Sequence, residues 1–292
     1  MDFATERLLL QLKALADPVR LRLIALCRHG ECSVAELTHV TGQSQPRVSQ
    51  HLKQLCGAGL LERFRDGKRV YYRLPSLARP PRLLLDLVPE ADREIAADAA
   101  RLRRLRAGRD GAVAEPAGDS DREIHRALLN LTVTAPIGDL LDVGCGRGRM
   151  LKLLASRARR AVGVDIDATA RQLARAELML AGLPNCSLRQ GDVHRLPFAD
   201  AEFDTVILDD LLLGSADPVR ALGEAGRLLR PGGRVIVLQR TDERPAPALR
   251  QLLGEWSAAA GLRLAPGRIV PDGAQAWLLA VAVPADERQA AA

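Results

Sequence analysis

The sequence predicts an α/β multidomain protein that combines two folds, a winged helix-turn-helix at the N-terminus and a Rossmann-like, doubly wound α/β domain at the C-terminus. With 292 residues, 47% of them apolar, the chain has more hydrophobic material than one small core usually organises. Short helical segments and a hairpin signal fill its first quarter. After Asp121 the pattern changes to strands that alternate with helices.

The first helices are marked by residues that begin and end helices. Residues 3–29 have leucine-rich helical periodicity, which Asp17 and Pro18 divide, because aspartate caps a helix and proline suits its first position. Ser33 is placed to cap the next helix, and Gly42 to end it. The sequence therefore predicts three short helices before the recognition helix.

A recognition helix and a β-wing are predicted next. Ser44 and Pro46 begin a helix over residues 46–59. Two short strand patterns then flank Asp66 and Gly67, a pair that supplies the positive backbone angles of a tight hairpin turn. A helix, a turn, a helix and a hairpin in this order define a winged helix-turn-helix.

The positive charge of the chain is concentrated in this first part. Residues 1–74 carry twelve Lys or Arg against seven Asp or Glu, and so account for five of the six net positive charges. Phosphate neutralisation supplies most sequence-independent affinity for DNA, so we expect double-stranded operator DNA to bind here. The expected DNA-binding residues are Ser44, Gln45, Arg47, Ser49, Gln50, His51 and Lys53 of the recognition helix, with Arg65, Lys68 and Arg69 of the wing.

A charged helix is predicted over residues 79–107. Its apolar residues repeat at intervals of three and four and form a seam suited to pairing with another helix: Val88, Ala91, Ile95, Leu102 and Leu105. We expect the seam to form a homodimer, and the alternative is a spacer between domains with a solvated face. Residues 108–120 read as a linker, which gives domains over 1–78 and 121–285 with the helix and linker over 79–120 between them.

The C-terminal pattern predicts a ligand site at one edge of a sheet. Six buried strands alternate with helices, and in doubly wound sheets ligands lie beyond the carboxyl ends of the strands. Gly144, Gly146 and Gly148 follow the first of these strands. Their G-x-G-x-G spacing lacks the last glycine of a dinucleotide fingerprint, where Arg149 stands instead. Asp165 ends the next strand and is placed to accept both hydroxyls of a ribose.

Four ordered stretches, DVGCGRG, GVDID, GDVHRLPFADAEFD and LRPGGRVIVL, resemble class I S-adenosylmethionine-dependent methyltransferases over about residues 122–283. The resemblance implies that the glycine loop approaches the methionyl part, Asp165 the ribose, and Asp192 with Val193 the adenine. The expected ligand-binding residues are Asp142, Gly144, Cys145, Gly146, Asp165, Ile166, Asp192, Val193 and Asp209. The alternative is a nucleotide-free Rossmann-like domain whose glycines only shape turns.

The first hundred residues resemble the ArsR/SmtB family of dimeric repressors, many of which release DNA on binding a metal. Metal-responsive members carry paired cysteines before the recognition helix, but Ser33 and Ala35 occupy those positions here. Cys32 alone is one residue out of place, and a soft metal needs two or three converging thiolates. We therefore expect no metal, and we expect the effector to enter through the second domain.

The acceptor side of the second domain lacks the polar residues of related fusions. The stretch after the fourth strand reads LDDLLLGSADP, without the histidine that repressor–methyltransferase fusions usually have there. We assign no catalytic residue and expect a sensor of S-adenosylhomocysteine or S-adenosylmethionine; the whole chain resembles S-adenosylhomocysteine-responsive regulators of the methionine cycle. The alternatives are an active methyltransferase that DNA binding brings to its substrate, and a redox or metal repressor with a vestigial second domain.

The sequence carries no signal peptide and no run of eighteen apolar residues without charge. Its five cysteines are scattered and form no C-x-x-C pair, so we expect reduced thiols. These features predict a cytoplasmic protein that does not bind membranes.

Overall fold

The computed structural model describes residues 3–66, 69–75, 88–89, 92–107, 119–241, 245–270 and 276–285. The chain divides into two compact units. The first comprises Met1–Val113 with Gln172–Ser187, and the second Ala114–Arg171 with Leu188–Ala292.

The first unit contains the expected helix-turn-helix and hairpin. Its helices are α1 (Phe3–Leu15), α2 (Pro18–Arg28), α3 (Val34–Thr41), α4 (Gln45–Gly57) and α5 (Arg93–Ala107). Its strands are β1 (Cys32–Ser33), β2 (Glu62–Asp66) and β3 (Arg69–Arg73), which form an antiparallel sheet in the order β1–β3–β2.

Side-chain caps begin the helices where the sequence predicted them. The Asp17 carboxylate accepts from the Arg20 backbone N–H at the start of α2 (3.0 Å). Ser33 and Glu36 form a reciprocal capping box at α3, which ends at Gly42 in the left-handed region (φ 67°). At the wing, Asp66 pairs with Arg69 in the register of the two antiparallel strands. The expected turn residues between them, Gly67 with Lys68, lie outside the described residues.

Helix α5 differs from the expected helix over residues 79–107. It begins at Arg93, because the Asp92 carboxylate caps the Glu94 and Ile95 backbone N–H groups (2.9 and 3.1 Å). Val88 precedes the helix, while residues 76–87 and 90–91, including Ala91, lie outside the described part. Three residues of the apolar seam, Val88, Ile95 and Leu102, are buried in the core of their own unit. Homodimer formation through this segment stays a prediction.

Buried arginines hold the first unit together. Arg106 of α5 donates to the Glu36 carboxylate (2.8 Å) and to the Glu31 carbonyl (2.7 Å). In the segment that begins at Gln172, Arg175 donates to the carboxylates of Glu31 (3.1 Å) and Asp66 (2.7 Å). All of these charged residues are less than 9% exposed, so their pairing offsets the cost of desolvation.

The second unit is built on a mostly parallel sheet. Its helices are α6 (Asp119–Thr134), α7 (Arg149–Leu154), the start of α8 (Ala168–Leu180), α9 (Pro218–Arg227) and α10 (Ala246–Ala259). The strands are β4 (Asp139–Val143), β5 (Arg160–Asp165), β6 (Cys186–Gln190), β7 (Phe203–Asp209), β8 (Leu229–Arg240), β9 (Leu262–Leu264), β10 (Arg268–Val270) and β11 (Trp277–Pro284).

The strand order brings the ends of four strands side by side. Among the described residues the sheet runs β10–β11–β8–β7–β4–β5–β6, with β9 pairing to β11. Strand β4 is parallel to β5 and β7, and β11 is antiparallel to β8. The expected strands after Asp121 are all present, and the chain leaves the ends of β4, β5, β6 and β7 along one edge.

We expect Arg106→Met to destabilise the first unit by roughly 3–5 kcal/mol, because it leaves the Glu36 carboxylate buried without its guanidinium. Amide hydrogen exchange in α3 and α5, read by mass spectrometry, measures the loss. Arg104→Met on the exposed face of the same helix is the matched control. Equal protection in both variants would contradict this role for Arg106.

The destabilisation caused by Arg106→Met should diminish at acidic pH. Burial alone would raise the pKa of Glu36, but Arg106 and the Ser33 hydrogen bonds outweigh it and lower the pKa below its ordinary value. A lowered pKa contributes stability above the ordinary value that is lost as the pH falls through the folded-state pKa. The gap between wild type and Arg106→Met should therefore narrow below about pH 4.5.

Candidate functional site

The loop between β4 and α7 adopts a conformation that favours glycine. Gly144, Gly146 and Gly148 all have positive φ, at 70°, 50° and 81°. A Cβ on Gly144 would collide with the Leu211 side chain, whereas a Cβ on Gly146 would meet nothing within 4 Å. The loop therefore has an apolar wall at one glycine and open space at the next.

Strand β5 holds this loop in place. The backbone N–H groups of Gly144 and Cys145 both donate to the Val164 carbonyl (2.8 and 3.0 Å). The Gly146 N–H donates to one oxygen of Asp165 (2.8 Å), and the Asp167 N–H donates to the other (2.8 Å). We predicted that Asp165 accepts from a ribose; the structure adds that it shapes the glycine loop. Each oxygen has a second lone pair for a ligand hydroxyl.

The Asp142 carboxyl group is buried beneath the loop. Its residue is 1% exposed, and neither of its oxygens has a hydrogen-bond partner among the described residues. Burial and the charges of Asp209 and Asp165 raise the pKa of Asp142 well above its usual range, although the positive charge of Arg149 acts in the opposite direction. A buried carboxyl group without a partner is costly, so a ligand that donates a hydrogen bond here would be stabilised.

Arg149 and Asp209 form an ion pair at the end of β7. A terminal nitrogen of the Arg149 guanidinium lies 2.9 Å from each carboxylate oxygen of Asp209. The guanidinium carbon also lies 5.0 Å from the ring centroid of Trp277. Asp209, predicted as a ligand-binding residue, is thus neutralised by a cation of the same unit.

The chain after β7 is fixed to β8. Asp210 has a positive φ of 52°, uncommon for a residue other than glycine, and its backbone N–H donates to the Leu238 carbonyl (2.8 Å). Its carboxylate accepts from the side chains of Gln239 and Arg240 (2.5 Å each). The strained residue is thereby anchored, and Leu211 follows it against the glycine loop.

At the end of β6, Asp192 and His194 form a small polar network. Asp192 accepts from the His194 backbone N–H (2.9 Å), and this hydrogen bond lowers the pKa of the Asp192 carboxyl group. The His194 ring lies 2.9 Å from the Ser215 hydroxyl. His194 thus links two loops, and Val193 packs against the core beside them.

The remaining predicted residues of the second unit have contrasting exposure. Ile166 follows Asp165 and is 69% exposed, which is unusual for a large apolar side chain. Cys145 is buried, and its sulfur lies 3.9 Å from the Gly146 carbonyl oxygen. Within the described ranges, no group of three or more His, Cys, Asp or Glu residues is placed to hold a metal ion.

The predicted DNA face lies mostly in the open. The exposed members are Ser44, Gln45, Arg47, Ser49, Gln50 and Lys53 of α4, with Arg65 and Arg69 of the wing. Lys68 lies outside the described residues. His51 is the exception, because its side chain is only 13% exposed and its ring nitrogen lies 3.9 Å from Asp17. Helical periodicity turns His51 toward α2, so its position does not favour the phosphate contact that we expected.

Several residues near the site have no local signal in the sequence. Arg149 stood out only as the residue that breaks a dinucleotide fingerprint, and its partner Asp209 lies sixty positions away. Leu211 reads as part of an apolar run, and nothing in the sequence brings Gln239 to Asp210. Only the strand order places these residues together.

Comparisons with known proteins match each part of the chain separately. The family model "Bacterial regulatory protein, arsR family" matches residues 17–63, and "Methyltransferase domain" matches residues 141–237. The arsenic resistance transcriptional regulator ArsR1 of Pseudomonas putida is 43% identical over 96 residues, which cover 32% of this chain and 75% of that protein. The chain thus has a region of arsR type followed by a region that matches a methyltransferase domain. It belongs to the arsR family of bacterial regulatory proteins.

Other relatives match shorter shares of their own length. An uncharacterised 37.1 kDa protein in transposon Tn4556 of Streptomyces fradiae is 36% identical over 122 residues, covering 41% of this chain and 35% of that protein. Nocamycin O-methyltransferase of Saccharothrix syringae is 36% identical over 139 residues, covering 47% of each chain. The chain therefore spans less than half the length of these two relatives. In the part of the chain that the structure describes, no helix is long and apolar enough to cross a membrane.

We expect Asp142→Asn to stabilise the second unit at neutral pH in the absence of ligand. The pKa of Asp142 is raised on folding, so folding binds a proton and the free energy of unfolding falls as the pH rises above the ordinary value of 3.8. The variant lacks this loss, so its advantage should grow by up to about 1.4 kcal/mol for each pH unit above about 4.

Urea unfolding at several pH values, followed by tryptophan fluorescence, measures this advantage. Both tryptophans of the chain, Trp256 and Trp277, lie in the second unit. Asp200→Asn removes a carboxylate that is 78% exposed and is the matched control. An advantage that does not change with pH would contradict the buried, unpaired state of Asp142.

Proposed function

We propose that this protein is a transcriptional repressor whose methyltransferase domain binds S-adenosylhomocysteine, or S-adenosylmethionine, as an effector. The repressor binds double-stranded operator DNA as a homodimer and controls genes of the methionine cycle. One observation carries the proposal: the nucleoside side of the site keeps the residues that its family resemblance requires, while neighbouring side chains pair with Asp209 and Asp210 on the side expected to hold an acceptor.

The nucleoside side fits the ligand residue by residue. Asp165 retains lone pairs for ribose hydroxyls, and the exposed Ile166 beside it offers an apolar surface to a purine ring. The open space at Gly146 leaves room for the ligand to approach the backbone. The unpartnered carboxyl group of Asp142 would accept from the amino group that both nucleosides carry.

The residues expected to face a methyl acceptor contact other side chains of the protein. Methyl transfer requires an acceptor aligned with the sulfonium in a site that excludes water. Here Leu211 lies against Gly144, and Arg149 forms an ion pair with the Asp209 carboxylate. Asp210 is held by Gln239 and Arg240. These contacts support a domain that binds a nucleoside without transferring its methyl group.

The alternative is an active methyltransferase that DNA binding brings to its substrate. The similarity to nocamycin O-methyltransferase favours it, because that relative is named as an enzyme. A metal repressor, suggested by the arsenic resistance regulator ArsR1, has less support. Ser33 stands at one expected thiolate position and instead caps α3, and the other position is Ala35.

Operator binding follows from the exposed face of α4 and the wing. Gln50 is placed to read base edges, and Arg69 is placed to contact phosphate. A homodimer on a two-fold operator would require half-sites about one helical turn apart or a multiple of that distance.

Arg69→Ala should weaken binding to all DNA sequences and reduce the slope of log affinity against log salt by about one unit. Gln50→Ala should instead reduce the preference for operator over random DNA, with an unchanged salt slope. Fluorescence anisotropy with labelled operator and random duplexes measures both. Arg263→Ala, at an exposed arginine of β9 in the second unit, is the control. A wild-type salt slope for Arg69→Ala would contradict the placement of the wing on DNA.

S-adenosylhomocysteine should lower operator affinity and should not be accompanied by methyl transfer. If the nucleoside lowers operator affinity tenfold, operator must lower nucleoside affinity tenfold, a coupling of about 1.4 kcal/mol. Anisotropy with and without nucleoside, and calorimetry with and without operator, measure the two sides of this linkage. Turnover of labelled S-adenosylmethionine on DNA, protein or small acceptors would support the enzyme instead.

Asp165→Ala should reduce nucleoside affinity by about a hundredfold, because two charge-assisted hydrogen bonds are lost and the Gly146 loop is released. Operator binding without nucleoside should remain, and its response to nucleoside should disappear. Asp200→Ala at an exposed carboxylate is the control. Wild-type nucleoside affinity in Asp165→Ala would mean that the ligand binds elsewhere.

A further inference from the structure

The order of the strands determines which end of a bound nucleoside meets which strand. Along the sheet edge lie Asp192 after β6, Asp165 at the end of β5, Gly144 after β4 and Asp209 at the end of β7. A nucleoside with adenine at β6 and ribose at β5 must extend its sulfur and amino acid toward β4 and β7. This placement rests on the proposed function.

The two candidate ligands differ only at that end. Both carry the same adenosine, amino group and carboxylate, so Asp192, Asp165 and Asp142 act on both alike. S-adenosylmethionine has an additional methyl group and a positive charge on sulfur. Discrimination between the two nucleosides therefore depends on the charged and apolar side chains near the ends of β4 and β7.

The charge at that end is set by one ion pair. Asp209 is 15% exposed at its side chain, and its carboxylate would stabilise a nearby cation if it were unpaired. Arg149, however, lies 2.9 Å from both of its oxygens and is further held over Trp277. The guanidinium thus neutralises the carboxylate, so the pair offers no net negative charge to a nearby sulfonium.

An apolar wall stands beside this pair. The Leu211 side chain lies against Gly144, so closely that no Cβ could be added there. An aliphatic group offers no electrostatic compensation to a sulfonium, whereas it packs well against a neutral thioether. The wall and the ion pair therefore favour the same ligand.

We propose that Arg149 is the specificity-determining residue that makes this site prefer the neutral thioether S-adenosylhomocysteine to the sulfonium S-adenosylmethionine. The guanidinium withholds from the sulfonium the Asp209 carboxylate at the end of β7 that would otherwise stabilise it. The thioether carries no charge on sulfur and needs no such stabilisation.

Calorimetric titration of both nucleosides into the full-length protein tests this role through the ratio of the two affinities. Arg149→Met should shift the ratio by about tenfold or more toward S-adenosylmethionine, because it removes the cation and frees Asp209. Asp209→Asn should shift it in the opposite direction, because the cation remains without its partner. Arg149→Lys retains the positive charge and should keep the wild-type preference for the thioether.

The matched control is Arg263→Met. Arg263 is an exposed arginine of β9 in the same unit and forms no part of the candidate site. Its replacement should leave the affinity ratio unchanged. Tryptophan fluorescence in urea establishes that each variant retains a folded second unit.

The outcomes separate this inference from the proposed function. If wild type and Arg149→Met bind both nucleosides with the same ratio, the role of Arg149 is overturned and the sensor remains. If wild-type protein binds neither nucleoside, the proposed function is overturned, and the role of Arg149 with it.

Discussion

The hydrogen bond from the Gly146 backbone to Asp165 is the contact on which the geometry of the candidate site depends. Three alternate residues of the loop, Gly144, Gly146 and Gly148, lie in the left-handed region. The hydrogen bond to Asp165 of the neighbouring strand supports this conformation. The same carboxylate also receives the Asp167 N–H at the start of α8. A single side chain therefore holds both the loop that follows β4 and the segment that follows β5.

Charge governs the part of the site around Asp142 and Asp209. Burial, and after it the charges of Asp209 and Asp165, raise the pKa of Asp142, and Arg149 is the cation that opposes this rise. A ligand amino group would supply a second cation where the protein has left a carboxyl group unpartnered. Arg149 is the positive charge that the protein supplies, and the ligand amino group would supply the other. This division supports a site that recognises its ligand by charge as well as by shape.

The sequence was sufficient wherever a local rule decides the structure. The caps at Asp17 and Ser33, the strand–helix alternation and the glycine loop all follow from residues within a few positions of one another. It was insufficient where the partner is remote, as for Arg149 with Asp209. The helix expected over residues 79–107 illustrates a different failure. Among its described residues only the last part, from Arg93, is helical, and the described seam residues Val88, Ile95 and Leu102 pack inside their own unit. Amphipathic periodicity identifies a buried face without identifying what covers it.

The burial of Asp66 at the base of the wing has a consequence for recognition. Its carboxylate accepts from Arg175, 109 positions further along the chain, and the Arg175 guanidinium also lies over Tyr71 (3.9 Å to the ring centroid). The described strands of the wing are therefore already ordered in the free protein, so association with a duplex need not lose that conformational freedom. The wing strands thus lose their conformational entropy when the chain folds, and not when the wing docks on DNA. Arg175, buried far along the sequence, would in this way strengthen the proposed binding of the wing to DNA.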